Sequence, residues 1–345
     1  MLKFGSFQEA LQSVFTLVKK DAPLAEYTTI GVGGKASFFV TAKSTEQILR
    51  AIQACREFEE PFRVLGCGSN VIISDTGFPG LVIQNRAAKW QVLHISATGA
   101  VDRSVPARFE TVSEEYYTTE GLTYSDERAA PVLVRVDSGA RFAPLMKSLF
   151  RKGITGLQWF AGVPATIGGA TYMNMHGGPF FFGDFIQRAR LLSGDTVTTV
   201  NHDYFQFDYD WSILHKTNEV VLCVDLLLRK GNVENARKLA REWARRKAIQ
   251  PQKSAGCIFQ NLDEADQNRL GLPMPSIGYL LDRVLHLKGK QIGGAIISPR
   301  HAAFIENTGQ TTASDVFRLA QFIREKAKTE LDIELKLEVE FVGKF

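Results

Sequence analysis

The chain has 345 residues, more than a single hydrophobic core usually serves, so two or three domains are expected. With 45% hydrophobic and 23% charged residues its composition is that of a soluble globular protein, and a net charge of +4 gives no case for nucleic acid as a partner. Its four cysteines, Cys55, Cys67, Cys223 and Cys257, lack metal-ligand spacing, and no apolar run reaches the ~18 residues that span a bilayer, so a reduced, cytoplasmic setting is expected.

Residues 6–20 place Phe7, Leu11, Val14, Phe15 and Val18 on one side of a helix. After Pro23 comes Thr28-Thr29-Ile30-Gly31-Val32-Gly33-Gly34, followed by an apolar strand over 37–41. Ser44 and Gln47 form a capping pair for a helix carrying Ile48, Ile52 and Cys55, with Cys55 and Cys223 expected in the core. Strands at 62–65 and 81–84 flank Gly66-Cys67-Gly68-Ser69-Asn70, and this region reads as a βαβ-like unit. The cluster is not a dinucleotide fingerprint, because Val71 stands where the third glycine belongs and Val71-Ile72-Ile73 reads as strand rather than helix. Gly34-Lys35-Ala36 misses the phosphate-binding P-loop for similar reasons, so any nucleotide must be held by another loop geometry.

Residues 90–98 and 132–137 read as strands. The polar segment 101–130 between them, with Glu110, Glu114, Glu115, Tyr116 and Tyr117, is longer than loops inside a domain usually are. It reads as a floppy hairpin or disordered excursion, with a lid as the alternative. A helix at 144–152 ends on Gly153, a natural C-cap, and delivers the chain into a small-residue stretch running to Ala170 and on to Asn174. Its glycines and Pro164 argue against a long helix and for a loop whose backbone N–H groups can face a phosphate or another electron-rich group. A tight bend between buried elements is the plainer reading of one Gly-Gly pair. Three glycine clusters, at 31–34, 66–68 and 162–169, point instead to a cofactor cradle.

Strands follow at 189–192, 197–200 and 220–228. A helix at 234–248 turns Ala236, Leu239, Ala240 and Trp243 inward and Arg237, Lys238, Arg241, Arg245, Arg246 and Lys247 outward. Most of those cations read as a solvated face, and those at the C-terminal end are candidates for an anionic substrate. A loop at 251–262 precedes a helix at 276–284, strands at 293–298 and 303–307, and a helix at 314–328. The terminal strand alternates, with Ile333, Leu335, Leu337, Val339 and Phe341 on one face and Asp332, Glu334, Lys336, Glu338 and Glu340 on the other. By that pattern alone Glu338 is one solvated charge among several.

Six stretches, taken together and in order, resemble the UDP-N-acetylenolpyruvoylglucosamine reductase (UDP-N-acetylmuramate dehydrogenase) family. They are Thr29-Ile30-Gly31-Val32-Gly33-Gly34, Leu65-Gly66-Cys67-Gly68-Ser69-Asn70-Val71, Gly162-Val163-Pro164-Ala165-Thr166-Ile167-Gly168-Gly169-Ala170 with Asn174, Ser254-Ala255-Gly256-Cys257-Ile258-Phe259-Gln260-Asn261, Leu287-Lys288-Gly289-Lys290-Gln291-Ile292-Gly293-Gly294-Ala295 and Leu337-Glu338-Val339-Glu340-Phe341-Val342-Gly343. The resemblance implies an α+β fold: a two-part FAD-binding region of the vanillyl-alcohol-oxidase/p-cresol-methylhydroxylase type plus a C-terminal α+β substrate domain. It divides the chain into an FAD-binding subdomain at 1–87, a second at 88–230 with the insertion about 101–130, a substrate-binding domain at 231–330 and a C-terminal strand at 331–345 carrying the active-site glutamate.

The reaction it implies has two halves. NADPH reduces FAD and departs, and the reduced flavin then gives hydride to the enolpyruvyl ether of UDP-N-acetylglucosamine while a side chain protonates the α-carbon. By position Cys257 matches the family's proton-donating serine, cysteine in some members, and Glu338 its active-site glutamate. Tyr209, Ser212, Lys247, Asn261 and Gln291 match substrate-binding positions. Gly31, Gly33, Gly34, Gly66, Gly68, Ser69, Asn70, Gly162, Pro164, Thr166, Gly168, Gly169 and Asn174 match cofactor-binding ones. His176 is not in a pattern typical of flavin attachment, so FAD is expected to be noncovalent. A small-molecule UDP-sugar is the expected partner of a monomer, with no nucleic acid, membrane or metal. The short passage from strand 220–228 to helix 234–248 resembles the family's shorter class.

Two departures stand out besides the insertion at 101–130. Where the family carries Tyr-Arg-x-Ser, this chain has Tyr209-Asp210-Trp211-Ser212, so an acid replaces the active-site arginine. Met175 to Asp184 replaces a Gly-Ala-Tyr-Gly-Glu-like run. Asp210 leaves open a flavoprotein of the same fold acting on a different acceptor, unless Arg188, Lys216 or the Arg245–Lys247 cluster supplies the missing cation.

Overall fold

The computed structural model describes residues 4–93, 124 and 129–345. The continuation of the strand expected at 90–98 and nearly all of the polar segment 101–130 lie outside the described residues. Contacts divide the chain into two compact units: Met1–Val18, Val40–Gly66 and Ile83–Ala248 form one, and Lys19–Phe39, Cys67–Val82 and Ile249–Phe345 the other.

The first unit is built on a five-stranded antiparallel sheet in the order Thr196–Asn201, Ile186–Ser193, Val220–Arg229, Pro131–Asp137, Trp90–Leu93. Strand Pro131–Asp137 alternates, with Val132, Val134 and Val136 buried, whereas the central strand Val220–Arg229 is buried along almost all its length. Helices Phe142–Arg151 and Ile167–Met173 close the core, adding Phe142, Leu145, Leu149, Ile167 and Ala170. Helix Thr45–Glu57 begins as expected, with the Ser44 hydroxyl accepting from the Gln47 amide at 3.2 Å and Cys55 fully buried. Helix Val233–Lys247 buries Ala236, Leu239, Ala240 and Trp243, the inward face read from its period.

One charge sits inside this sheet. Asp225, 2% exposed on the central strand, is flanked in register by Arg135 on one neighbouring strand and Arg188 on the other. Its two oxygens accept from Arg135 Nε at 2.7 Å and Nη2 at 2.9 Å, and from Arg188 Nε at 2.5 Å. Burial alone would raise the carboxyl, but the two guanidinium groups outweigh it and hold Asp225 below the usual carboxylate range. A depressed folded-state value contributes stability above the ordinary carboxylate pKa of ~3.9, and that contribution is lost as pH falls below it. Asp225→Asn is therefore expected to cost about 2 kcal/mol at neutral pH and to flatten the acid limb of the stability profile below pH ~4. Urea unfolding across pH checks both; an unchanged acid limb would mean the triad carries no net stabilisation.

The second unit packs around helix Ala313–Leu331, which buries Val316, Leu319, Ala320, Ile323 and Ala327. Thr312 and Asp315 make a reciprocal capping box at its start, and Asp75 accepts from the Ala313 and Ser314 amides at 2.8 and 2.9 Å. Around it lie the antiparallel strands Gln291–Ile292, Ala295–Ile297 and Ile305–Asn307, and a parallel pair of Val71–Ile73 with Glu340–Val342. Strand Lys19–Pro23 pairs antiparallel with residues Lys35 to Phe39.

Four local expectations are corrected. The first helix covers Phe7–Gln12 rather than 6–20, because the Ser13 hydroxyl bonds Ala10 O at 2.7 Å and the Val14 and Phe15 amides both turn onto Leu11 O. The helix at 276–284 is a short α-turn, Ile277–Tyr279, widening into a π-turn, Leu280–Val284, that lets Leu280, Leu281, Leu285 and Leu287 all reach the core. The Gly168-Gly169 pair lies in the first turn of helix Ile167–Met173, not in an open loop. The terminal segment is a strand only over Glu340–Val342; before that it is tethered residue by residue, and Leu337 is 37% exposed instead of inward.

Candidate active site

In the second unit the glycine clusters at 31–34 and 68–70 meet. A Cβ on Gly34 would stand 2.2 Å from Asp75 O, and one on Gly68, at φ 67°, 2.1 Å from Tyr27 O. Only glycine permits this approach of backbone to backbone. Thr29 N donates to Gly68 O at 2.9 Å and its hydroxyl to Ser254 O at 2.6 Å, which joins both clusters to the loop holding Cys257. Gly31 is exposed, and a Cβ there would meet only Asn307 Nδ2 at 3.4 Å.

Asn70, Cys257 and Glu338 come together here from three distant stretches of sequence. Asn70 Nδ2 donates to Glu338 O at 3.0 Å and Asn70 O accepts from Glu340 N at 3.0 Å. Glu338 N in turn donates to Ile258 O at 2.9 Å, beside a bridge between Phe259 and Leu337. Cys257 follows Gly256, at φ 87°, and its other side is held by a bridge to Phe304. A Cβ on Gly256 would meet only Ser69 O, at 4.0 Å. Glu338 and Cys257 are both partly exposed, so Glu338 is not the freely solvated charge its alternation suggests. Asn261 is exposed, with Oδ1 accepting from Ile277 N at 3.0 Å, and exposed Gln291 donates its amide to Gly293 O at 2.8 Å.

In the first unit Gly66 abuts Thr166, whose hydroxyl caps helix Ile167–Met173 by accepting from Gly169 N at 3.3 Å. Gly168 N donates to Ser138 O at 2.7 Å, and a Cβ on Gly168 would press on Ser138 at 3.0 Å. Gly169 is exposed, and its Cβ would meet only the Thr166 hydroxyl at 3.4 Å. Gly162 and Pro164 are both exposed, and a Cβ on Gly162, at φ 85°, would stand 3.1 Å from Ala244 Cα on helix Val233–Lys247. Open backbone at Gly169, like that at Gly31, fits close approach by a nucleotide cofactor with no side chain in the way.

Asn174, buried and left-handed at φ 47°, ends the same helix. Its amide donates to Asp208 O at 2.8 Å and its Oδ1 accepts from Gly183 N at 2.9 Å, fixing the turn that follows. Ser212 is fully buried, donating its hydroxyl to Tyr172 O at 2.6 Å, a placement that ties the turn to the helix. Asp210 is 4% exposed in left-handed backbone at φ 46°. Its Oδ1 is 2.9 Å from His176 Nδ1, and its buried Oδ2 has no hydrogen-bond partner. The His176 ring stacks on Tyr209 at 5.8 Å and 18° and meets Phe181 edge-on.

The cations considered as replacements for the family's arginine have neighbours of their own. Arg188 is bonded to Asp225, Lys216 stands over the Trp211 ring at 5.3 Å, and Arg245 and Arg246 bond Glu242. Lys247 places Nζ 5.5 Å from the Trp243 ring centre. The side chain that reaches Asp210 is His176, which sequence reasoning considered only for flavin attachment. The usable signal was that both departures from the family pattern, at 175–184 and at Asp210, introduce a histidine and an acid together.

A family profile described as UDP-N-acetylenolpyruvoylglucosamine reductase, C-terminal domain, matches residues 250–342, and an FAD binding domain profile matches residues 36–104. The chain is 30% identical over 332 residues to the UDP-N-acetylenolpyruvoylglucosamine reductase of Parasynechococcus marenigrum, covering 94% of this chain and 96% of that protein. It is 29% identical over 340 residues to the enzyme of that name from Bacillus pumilus, covering 97% of each. Among solved structures, the UDP-N-acetylenolpyruvylglucosamine reductase from Thermus caldophilus matches with a TM-score of 0.67 at 29% identity, over 95% of this chain and 98% of that one.

Proposed function

Because the chain belongs to the UDP-N-acetylenolpyruvoylglucosamine reductase family, its reaction is the FAD-dependent, NADPH-linked reduction of the enolpyruvyl ether of UDP-N-acetylglucosamine to UDP-N-acetylmuramate, and we propose that the residues described above carry it. The fold is the family's α+β fold with its FAD-binding region. FAD, when bound, relays hydride from NADPH to the enol ether. Proposed FAD contacts are Gly66, Gly162, Pro164, Thr166, Gly168, Gly169 and Asn174 in one unit and Gly31, Gly33, Gly34, Gly68, Ser69 and Asn70 in the other. The functional division at 87, 230 and 330 is proposed alongside the two compact units.

One observation supports the assignment most directly. The ladder from Asn70 through Glu338 to Ile258 sets a residue of the flavin loop, a carboxylate and the Cys257 thiol on adjoining backbone. Cys257 is proposed to give the proton to the substrate α-carbon, since an ordinary thiol, with pKa ~8.5, is protonated at neutral pH and a better acid than a serine hydroxyl. Tyr209, Lys247, Asn261 and Gln291 are proposed substrate contacts; Ser212 is proposed to act through the turn it anchors.

No helix among the described residues is long and apolar enough to cross a membrane. A cytoplasmic monomer acting on a UDP-sugar is the proposed setting, consistent with four cysteines outside disulfides. Stopped-flow reduction of the flavin by NADPH, followed by mixing with the enolpyruvyl UDP-sugar, tests the function. Rapid reoxidation without oxygen is the expected result. A reduced flavin that the substrate leaves reduced would instead favour a different acceptor.

A further inference from the structure

We infer that residues 342–345 form a clasp that fixes the register in which the terminal segment presents Glu338, with Ser74 and Phe345 as its positioning residues. The inference rests on the proposed reductase function, in which Glu338 takes part. Ser74, Phe317 and Phe345 all lie outside the six stretches that carry the family resemblance.

The ladder beside Glu338 is short. Strand Glu340–Val342 and strand Val71–Ile73 make a two-stranded parallel sheet of three residue pairs. Such a pair of strands is marginal by itself. Its register nonetheless matters, because a slip of one residue turns every side chain to the opposite face. Glu338 stands just before the first pair, Glu340 with Val71, so a slip would carry its carboxylate away with the rest. Asn70 holds this near end through its bonds to Glu338 O and Glu340 N, both at 3.0 Å.

The far end is fastened differently. Ser74 N continues the ladder by donating to Val342 O at 2.8 Å, and the Ser74 hydroxyl donates to Lys344 O at 2.7 Å. That hydroxyl also accepts from Thr76 N at 3.1 Å, so the turn after Val71–Ile73 orients it. Between the two bonds Gly343, at φ 102°, runs so near the turn that a Cβ would stand 2.9 Å from Ser74 Cβ. Phe345 then stacks on Phe317 of helix Ala313–Leu331, ring centres 5.0 Å apart at 27°, and meets Phe341 edge-on at 5.0 Å. Phe317 and Phe341 are themselves edge to face at 5.4 Å. One ring of this triad belongs to the ladder, one to the helix and one to the segment beyond the strand. Aromatic packing is specific in geometry, and a one-residue slip would turn Phe341 to the other face and break it. Phe345 is 41% exposed, so its packing bears on where the segment lies more than on core burial.

The test uses the holoenzyme, with both half-reactions followed by stopped flow and backbone hydrogen exchange by mass spectrometry. Phe345→Ala is expected to leave FAD content and flavin reduction by NADPH at the wild-type level. Reoxidation by the enolpyruvyl UDP-sugar should slow about 10-fold, since a small displacement of a group at the reacting centre is costly. Ser74→Ala should slow it in the same direction, and Phe345→Tyr, which keeps the ring, should restore the wild-type rate. In a Glu338→Gln background Phe345→Ala should add no further slowing, the mark of action through that carboxylate. Exchange over 338–342 should quicken about 10-fold in Phe345→Ala while that of helix Ala313–Leu331 stays the same. Wild-type reoxidation, flavin loss, equal slowing of both half-reactions or full additivity with Glu338→Gln overturns the positioning role. Unchanged exchange over 338–342 overturns the clasp itself, whichever reaction the enzyme runs. A wild-type enzyme that the enolpyruvyl UDP-sugar does not reoxidise fails the reductase function, and the role of the clasp in presenting Glu338 falls with it.

Discussion

Cys257→Ala is expected to leave the reduction of bound FAD by NADPH unchanged and to slow reoxidation by the enolpyruvyl UDP-sugar roughly 100-fold or more. The magnitude is that of a positioned general acid. The backbone around Cys257 has its own hydrogen bonds: Ile258 is held by Ala303 O through its amide and by Glu338 N through its carbonyl, and Cys257 itself bridges to Phe304. Removing the sulfur therefore removes the proposed proton donor together with the packing of a partly buried side chain against the second unit's core, so the stability of the variant is measured alongside its rates. Cys257→Ser should retain substantial activity, because a hydroxyl on the same Cβ reaches the same place, though it is the weaker acid. Single-turnover measurements of both half-reactions separate these effects. Wild-type reoxidation in Cys257→Ala would reduce the thiol to packing and send the search for the donor elsewhere.

The second large effect is on folding. Gly34→Ala would place a methyl 2.2 Å from Asp75 O and 2.5 Å from Gly77 N, both backbone atoms, and Gly68→Ala one 2.1 Å from Tyr27 O. Neither contact can be relieved by a rotamer change, so the loops themselves must move. A loss of about 3 kcal/mol is expected for either, and Gly68 adds the strain of a left-handed backbone at φ 67°. Urea unfolding and flavin content measure it; near-wild-type stability would show that the loops yield cheaply. Gly169→Val is the informative contrast, since a Cβ at this exposed position would meet only the Thr166 hydroxyl at 3.4 Å. It should fold and yet lose flavin, and stoichiometric FAD in that variant would count against Gly169 as a cofactor contact.

The second-unit glycine geometry also explains why a dinucleotide fingerprint fails. Gly33, Gly34 and Gly68 are needed where chain crosses chain, not at the mouth of a strand–helix turn. The same residue type thus serves two purposes, and the spacing along the chain cannot tell them apart. Gly162 and Gly169 are both exposed, but a Cβ would press on helix Val233–Lys247 at the first and meet only the Thr166 hydroxyl at the second. Only the positions of neighbouring elements separate glycines with room for a side chain from those without.

Local order was legible wherever it depends on near neighbours. The Ser44–Gln47 cap, the Leu239–Trp243 face, the strand Phe62–Leu65 and the buried stripe of Val316, Leu319 and Ile323 all follow from periods and caps a few residues long. The six motifs in order were enough to name the family and its chemistry. Tertiary structure alone decided the rest, because those contacts join residues far apart in the chain. It set Asn70 against Glu338 and Ile258, which turned a charge in an alternating segment into part of a candidate site. It gave Asp225 its two arginines from opposite neighbouring strands. It also paired Asp210 with His176, 34 residues earlier. A side chain's partner is set by which elements pack together, and that packing is dictated by the burial of the whole apolar surface, which no short stretch of sequence contains.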